Sequence, residues 1–141
     1  MGFTPDRRHL YYTDSATREI CRFDYEVVRG DITNRRLFVR TPENEGVPDG
    51  LTVDAEGGIW SVPWDGGALV RFTPNGKEER RIRFPAKKVS SFTFGDEDLA
   101  DMYVTTAGGN QRATEGAGAG ALFRLRPRIR GLPEFCSRVG R

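Results

Sequence analysis

The sequence has one histidine and two cysteines, too few for several kinds of catalytic and metal site. Cys21 and Cys136 stand apart and lack CxxC spacing, so we expect free thiols rather than a disulfide framework or a zinc site. His9 follows Arg7 and Arg8 in a turn-like segment, where a solvated imidazole is expected. A Ser/His/Asp triad would depend on this histidine, and the sequence therefore argues against one.

An excess of charge of one sign is also lacking. The 22 Lys and Arg residues against 20 Asp and Glu leave a formal net charge of +2, which favours neither a nucleic acid nor an anionic membrane as partner. The opening MGFTPDRRHL has no apolar run of the kind a signal peptide needs, and no stretch approaches the ~18 apolar residues of a membrane span. We expect a soluble, cytoplasmic protein with no membrane partner.

Helical periodicity is scarce as well. Short runs of β-branched and aromatic residues recur instead, each bounded by Gly, Pro, Asp or Asn. The 17 glycines and 8 prolines suit the turns between these runs. This pattern is typical of an all-β protein.

Three segments, beginning at Phe3, Val53 and Phe94, share one plan. Each has an acidic turn, an apolar and aromatic strand, a second turn, and a strand with an arginine between apolar neighbours. Two sets of residues are expected to occupy matching positions: Tyr11, Ile59 and Met102 in the middle strand, and Arg22, Arg71 and Arg124 in the next strand. Repeats of this length with about four strands each are typical of propeller blades.

As blades, the units cover residues 1–44, 45–88 and 89–139, and residues 1–139 form a single domain. Propellers close with about 4 to 8 blades, so three blades predict part of a ring. The open edge strands of such a part would invite pairing with another chain.

Aromatic residues and glycines refine this picture. Tyr12, Trp60 and Tyr103 lie on or near the middle strands and are expected in the core between blades. The tract Gly108–Gly120, GGNQRATEGAGAG, interrupts the third unit between its middle strands. It is interpreted either as a solvated connector or as a mobile loop beside the rim of a pocket.

The stretch VPDGLTVDAEGGIW holds the most conspicuous candidate, Asp49, between Pro48 and Gly50. Pro-Asp-Gly is turn chemistry, since proline sets φ and glycine permits positive φ. Composition alone thus favours a turn over a site. Asp54 is expected to organise the hairpin that follows, and Asp14 to cap a turn after its strand.

Several segments resemble the regucalcin/gluconolactonase family, also called the senescence-marker-protein family. They are GFTPDRRHLYYTDS, FDYE, ITNRR, VPDGLTVDAEGGIW with GGALVRF after it, and the tail GAGALFRLRPRIRGLPEF. The resemblance runs over about residues 1–136, and the PDG-x-x-x-D-x-x-G-x-[IL]-W string is its most specific part. It implies a six-bladed β-propeller roughly twice this length, of which this chain is the C-terminal half.

The resemblance also implies one divalent metal at the axis, calcium or zinc, and hydrolysis of sugar lactones. The family holds its metal with a glutamate of the first blade, an asparagine from the middle of the chain and the aspartate of the PDG motif. Only the last has a match here, Asp49, whereas Asp14 and Asp54 match no metal position. Oxygen ligands of this kind suit a hard cation, with magnesium or manganese as alternatives.

The repeats give an independent check on Asp49. With Val53 aligned to Phe94, Asp49 falls opposite Ser90, and in the first unit the same count falls upstream of Met1, where the family's asparagine would stand. Equivalent blade positions converge on a propeller axis. We therefore expect Asp49 to be a metal ligand and the general base for water attacking the lactone, and we expect the fragment alone to be inactive. A non-catalytic propeller that binds a metabolite or protein is the alternative.

Overall fold

Three antiparallel sheets make up the computed structural model, which describes residues 1–134. The first sheet contains β1 (Gly2–Phe3), β2 (His9–Asp14), β3 (Glu19–Glu26) and β4 (Asp31–Arg40), in that order. The second contains β5 (Val47–Val53), β6 (Ile59–Trp64), β7 (Ala68–Phe72) and β8 (Glu78–Arg83). The third contains β9 (Val89–Gly95), β10 (Asp101–Thr106) and β11 (Leu122–Leu125). The all-β prediction is confirmed.

Within residues 1–134, helical structure is confined to single turns. Two 3₁₀ turns span Glu43–Glu45 and Gly109–Gln111, and the second leads into the short helix α1 (Arg112–Glu115). No helix within residues 1–134 has the length and apolar character to cross a bilayer.

The sheets pack face to face in chain order, with a separate core in each gap. Between the first and second sheets lie Tyr11, Ile20, Leu51, Val53 and Ile59. Between the second and third lie Trp60, Val62, Leu69, Val89, Phe92, Phe94, Met102, Val104 and Ile129. Since the middle sheet is apolar on both faces, it needs a neighbouring sheet on each side, as in a propeller.

The innermost strands β1, β5 and β9 lie side by side across these gaps. A Cβ added at Gly2 would sit 3.0 Å from Val53 Cγ2, and one added at Gly50 would sit 3.0 Å from Ser90 O and Ser91 Cα. Glycine thus allows the inner strands to approach closely, as the axis of a propeller requires.

The arginine correspondence predicted from the repeats is confirmed by the strand register. Arg22, Arg71 and Arg124 each pair with an aromatic residue of the middle strand, namely Tyr11, Trp60 and Tyr103. The same register corrects the other predicted set. Leu10, not Tyr11, matches Ile59 and Met102. In each sheet the matching residue is the one that pairs with the inner-strand residue at which the repeated segment begins: Leu10 with Phe3, Ile59 with Val53 and Met102 with Phe94.

This one-residue shift also reverses a core prediction. Tyr12 is 48% exposed, whereas Tyr11 is 2% exposed and packs edge-on against Phe38. Successive strand residues point to opposite faces, so a slip of one residue exchanges core and surface. Trp60 is buried as predicted, but Tyr103 is only partly buried and donates its hydroxyl hydrogen bond to Asp96 at 2.7 Å.

Asp54 forms the polar centre of the middle sheet. It is fully buried, and its Oδ1 accepts hydrogen bonds from the backbone N–H groups of Glu56 (3.0 Å) and Gly58 (2.8 Å), which confirms its predicted hairpin role. Its Oδ2 accepts from Trp60 Nε1 (2.7 Å) and Arg71 Nε (2.8 Å). One carboxylate thereby joins β5, its hairpin, β6 and β7.

Arg71 is buried with Asp54 and reaches two further carboxylates, Glu56 at 2.9 Å and Glu79. Burial opposes the charge of Arg71, but the hydrogen bonds that its guanidinium donates to Asp54 and Glu79 outweigh the effect of burial and raise the pKa of the guanidinium. A Cβ at Gly58 would lie 2.5 Å from this guanidinium, so glycine is required beside it.

The glycine-rich tract connects β10 to β11 and is anchored along its length. Lys87 N–H donates to Glu115 O and Gly118 N–H donates to Pro85 O, both at 2.7 Å. Lys88 Nζ lies 2.8 Å from Glu115 Oε1. The tract is thus a connector built onto the residues that precede β9.

The sequence also predicts roles for three single residues, Cys21, Asp14 and His9. Cys21 is a buried free thiol, as expected, and Cys136 lies outside the described residues. Asp14 Oδ1 accepts from the backbone N–H groups of Ala16 and Thr17, which confirms its turn role. His9 is half-buried, with Nδ1 3.2 Å from Asp24 Oδ1.

Replacing Asp54 with Ala should lower the free energy of unfolding by about 3–5 kcal/mol, because Arg71 would keep its charge in the interior without its buried partner. Glu56→Ala is the matched control: it removes a carboxylate from the same guanidinium, but one that is 64% exposed, and should cost at most about 1 kcal/mol. Urea unfolding measures both. Equal losses in the two variants would contradict the central role of Asp54.

Replacing Gly50 with Ala should destabilise the chain by roughly 1–3 kcal/mol, because the added methyl would press on the backbone of β9. Gly50→Ser places a larger group at the same point and should cost at least as much. The unfolding midpoint in urea tests this, and a midpoint unchanged in both variants would mean that β5 and β9 are not closely packed here.

Candidate functional site

Asp49 lies within strand β5, at a β-bulge. Pro48 pairs with Pro63 and Leu51 pairs with Ser61, so Asp49 and Gly50 together face the single residue Val62. The prediction of a Pro-Asp-Gly turn is therefore wrong, since the three residues continue the strand. The misreading has a physical cause: the proline and glycine that suit turns also suit bulges, where the ladder is interrupted.

Two contacts hold this bulge in place. Ser15, which directly follows β2, donates its hydroxyl hydrogen bond to Pro48 O at 2.8 Å. Gly50 lets the backbone of β5 pack against Ser90 and Ser91 in β9. The bulge is thus fixed from both neighbouring sheets, and bulges are common beside functional sites because they redirect a side chain.

The Asp49 side chain is exposed, and among residues 1–134 it has no hydrogen-bond or ion-pair partner. Partial desolvation raises the pKa of its carboxyl above the ordinary value. Asp54, five residues later, has four donors. Of the two aspartates of β5 and its hairpin, Asp49 is the one whose oxygens are available to a ligand.

Ser90 occupies the equivalent position in the third sheet. Ser91 pairs with Thr105 and Val89 with Thr106, which leaves Ser90 as the extra residue of a second bulge. Counted back from the matching residues Val53 and Phe94, the two bulges have the same register. Ser90 Oγ lies 2.9 Å from Thr105 Oγ1 and 3.2 Å from Thr105 O.

The same end of the sheets carries a charged and aromatic rim. Trp64 pairs with Val47 at the start of β5, and Lys88 Nζ lies 5.9 Å from the centre of a Trp64 ring. The same Nζ donates a hydrogen bond to Glu115 of the glycine-rich tract. His9, by contrast, starts β2 and therefore lies at the opposite end of the sheets.

A cavity of about 310 Å³ lies at that opposite end. Its lining includes Phe3, Thr4, Val53, Phe94 and Pro133, where the inner strands finish. It is not lined by Asp49 or Ser90, so the cavity and the bulges are separate features.

The donors around Asp49 determine whether a metal ion fits here. Within the described part of the chain, no three His, Cys, Asp or Glu side chains cluster closely enough to hold a cation. Asp49 therefore offers one carboxylate ligand, which suits part of a calcium-type site rather than a complete one.

The sequence pattern pointed to Asp49 and its counterpart Ser90. It did not predict the contacts of Ser15 and Thr105, because these join residues that are distant along the chain.

Comparison with known proteins identifies relatives of this fold and sequence. The SMP-30/Gluconolactonase/LRE-like region matches residues 1–108. The chain is 44% identical over 146 residues to the pentonolactonase XacC of Haloferax volcanii, across 99% of this chain and 50% of that protein. It is 33% identical over 140 residues to regucalcin of Sus scrofa, across 96% of this chain and 47% of that protein.

Solved structures agree. A calcium-binding protein, regucalcin of Agrobacterium tumefaciens, matches with a TM-score of 0.87 and 26% identity, over 98% of this chain and 48% of that one. A gluconolactonase of Xanthomonas campestris matches with a TM-score of 0.67 and 28% identity, over 89% of this chain and 36% of that one. The chain thus spans about half the length of the curated relatives that it matches. With its three propeller-type sheets and the match over residues 1–108, the chain belongs to the SMP-30/gluconolactonase/LRE-like family.

Proposed function

We propose that the chain is the C-terminal half of a six-bladed propeller that hydrolyses sugar lactones with the help of one divalent cation. The observation that carries the proposal is the Asp49 carboxylate, exposed at a bulge in an innermost strand and without a protein partner among the described residues. Relatives named pentonolactonase and gluconolactonase support the reaction class.

The proposed architecture has three blades in this chain, at about residues 1–44, 45–88 and 89–139. Supporting it, the three sheets span residues 2–40, 47–83 and 89–125, and relatives twice as long match the chain over half their length. On this architecture, residues of the other half complete the site around Asp49. The chain alone is then expected to bind metal weakly and to lack lactonase activity.

Asp49 has two roles in the proposed reaction. It supplies one carboxylate ligand to the cation, and it accepts a proton from the water that attacks the lactone carbonyl. A divalent cation, when bound, polarises that carbonyl and stabilises the oxyanion. Partial desolvation makes the Asp49 carboxylate a stronger base than a fully hydrated one, in keeping with its second role.

Calcium and zinc are the proposed cations, with magnesium and manganese as alternatives. A carboxylate at an exposed bulge, with serine hydroxyl groups nearby and Cys21 buried, favours an oxygen-preferring ion such as calcium. The regucalcin from Agrobacterium tumefaciens is itself described as calcium-binding.

Asp49→Asn in the full-length protein that contains this chain should abolish lactone hydrolysis and weaken calcium binding, because the amide loses both the charge and the basic oxygen. Steady-state hydrolysis of δ-gluconolactone and calcium calorimetry measure the two effects. Without metal, the variant should unfold within about 0.5 kcal/mol of the parent, because Asp49 has no protein partner among residues 1–134.

Asp14→Asn is the matched control, since it makes the same carboxylate-to-amide change at an aspartate whose hydrogen bonds serve its own turn. Asparagine retains that turn function, so hydrolysis and calcium binding should both be unchanged. Wild-type turnover in Asp49→Asn would refute the proposed role. Metal and metabolite binding without hydrolysis in the parent would favour the non-catalytic propeller, and an active monomeric 141-residue chain would refute the half-ring architecture.

A further inference from the structure

We propose that Ser90 is a substrate-positioning residue of the Asp49 site, whose hydroxyl oxygen accepts a hydrogen bond from a hydroxyl group of a polyhydroxylated lactone. This inference rests on the proposed function and specifies how the site would select sugar lactones.

The repeated bulge places Ser90 where Asp49 stands in the neighbouring blade. Each is the first residue of a bulge, one step beyond a regular pair: Asp49 after Pro48–Pro63 and Ser90 after Val89–Thr106. Blades are related by rotation about the propeller axis, so equivalent residues face the same axial space. A ligand bound by Asp49 would therefore lie next to Ser90 of the neighbouring blade.

The contact between the inner strands brings the two positions together. Gly50, the residue after Asp49, packs directly on Ser90 O and on Ser91 Cα. A Cβ at position 50 would lie 3.0 Å from both atoms, so any side chain there would require the two inner strands to shift. The glycine of the PDG sequence therefore serves the spacing between the two blades as well as the bulge itself.

The hydrogen bonds around Ser90 determine which partner it suits. Thr105 Oγ1 lies 3.1 Å from Ser91 O and 2.9 Å from Ser90 Oγ, so its single proton goes to one of these two oxygens. If the Thr105 proton goes to Ser91 O, then Ser90 donates its own proton to Thr105 Oγ1. If the Thr105 proton goes to Ser90 Oγ, then Ser90 donates to Thr105 O at 3.2 Å.

In both arrangements the Ser90 proton is used within the β9–β10 pair, and at least one lone pair of its oxygen remains free. Ser90 is therefore set to accept from a ligand. A lactone ring oxygen or carbonyl is also an acceptor and would have to compete with Thr105 for the Ser90 proton, whereas a sugar hydroxyl is a donor and pairs with Ser90 directly. The residue thus recognises the hydroxyl groups of a substrate and not its ester.

The test compares two substrates in the full-length protein that contains this chain. Ser90→Ala should raise KM for δ-gluconolactone about three- to tenfold, the usual effect of one hydrogen bond, with little change in kcat. For δ-valerolactone, which has the ester but no hydroxyl groups, KM and kcat should be unchanged. Ser90→Thr, which keeps the oxygen, should restore the parent KM.

Thr93→Val is the control, since it removes a hydroxyl from the same strand nearer its other end, where Thr93 bonds only Phe94 O. It should affect neither substrate. Calorimetry with gluconate gives a readout independent of turnover: Ser90→Ala should weaken gluconate binding by a similar factor and leave calcium affinity unchanged.

Equal effects on both lactones, or no effect on δ-gluconolactone, would overturn the role of Ser90. If the parent hydrolyses neither lactone, the proposed function fails, and weaker gluconate binding in Ser90→Ala would still support Ser90 as a hydroxyl acceptor. If the parent does not bind gluconate, or if Ser90→Ala weakens calcium binding as much as Asp49→Asn does, the inference is wrong.

Discussion

The buried pair of Asp54 and Arg71 is the interaction on which the middle sheet depends. A carboxylate without solvent can remain charged only if donors surround it, and Asp54 receives two backbone N–H groups, the Trp60 indole and the Arg71 guanidinium. These donors come from the hairpin, β6 and β7, so their geometry fixes three strands relative to one another. The inner strand β5 therefore ends at a rigid point, and its other end can carry an irregular bulge without loss of register.

The two aspartates of this strand and its hairpin illustrate the difference between a carboxylate whose oxygens the fold uses and one whose oxygens it leaves available. Asp54 is buried and saturated, while Asp49 is exposed and lacks a partner in the described chain. Composition alone makes both look like turn residues. Their roles separate only when the pairing register shows one inside a hairpin turn and the other at a bulge of an axial strand.

The sequence predicted a large part of the fold but not its details. The repeated pattern was sufficient for the all-β class, the three strand-rich units and the three matching arginines. It failed for Tyr12, because a slip of one residue in a strand exchanges its two faces, and the adjacent Tyr11 has nearly the same local sequence environment. It also failed for Pro48 and Gly50, whose backbone preferences fit both a turn and a bulge. Contacts such as that of Ser15 with Pro48 depend on packing between sheets, which no local pattern contains.

The open faces of the chain follow from the same principle that builds its interior. Each sheet buries the face it turns toward a neighbour, and the face of the first sheet that points away from the second leaves Tyr12 and Leu37 about half exposed. In the third sheet, β11 is the edge strand among the described residues, so its outer backbone groups have no strand partner there. A complete ring would cover both. The bulges that carry Asp49 and Ser90 lie in the innermost strands between these two faces, and neighbouring blades change the residue type at this position without changing its register. In the proposed site, a carboxylate in one blade and a hydroxyl in the next would divide the recognition of one ligand, the first through charge and the second through a hydrogen bond.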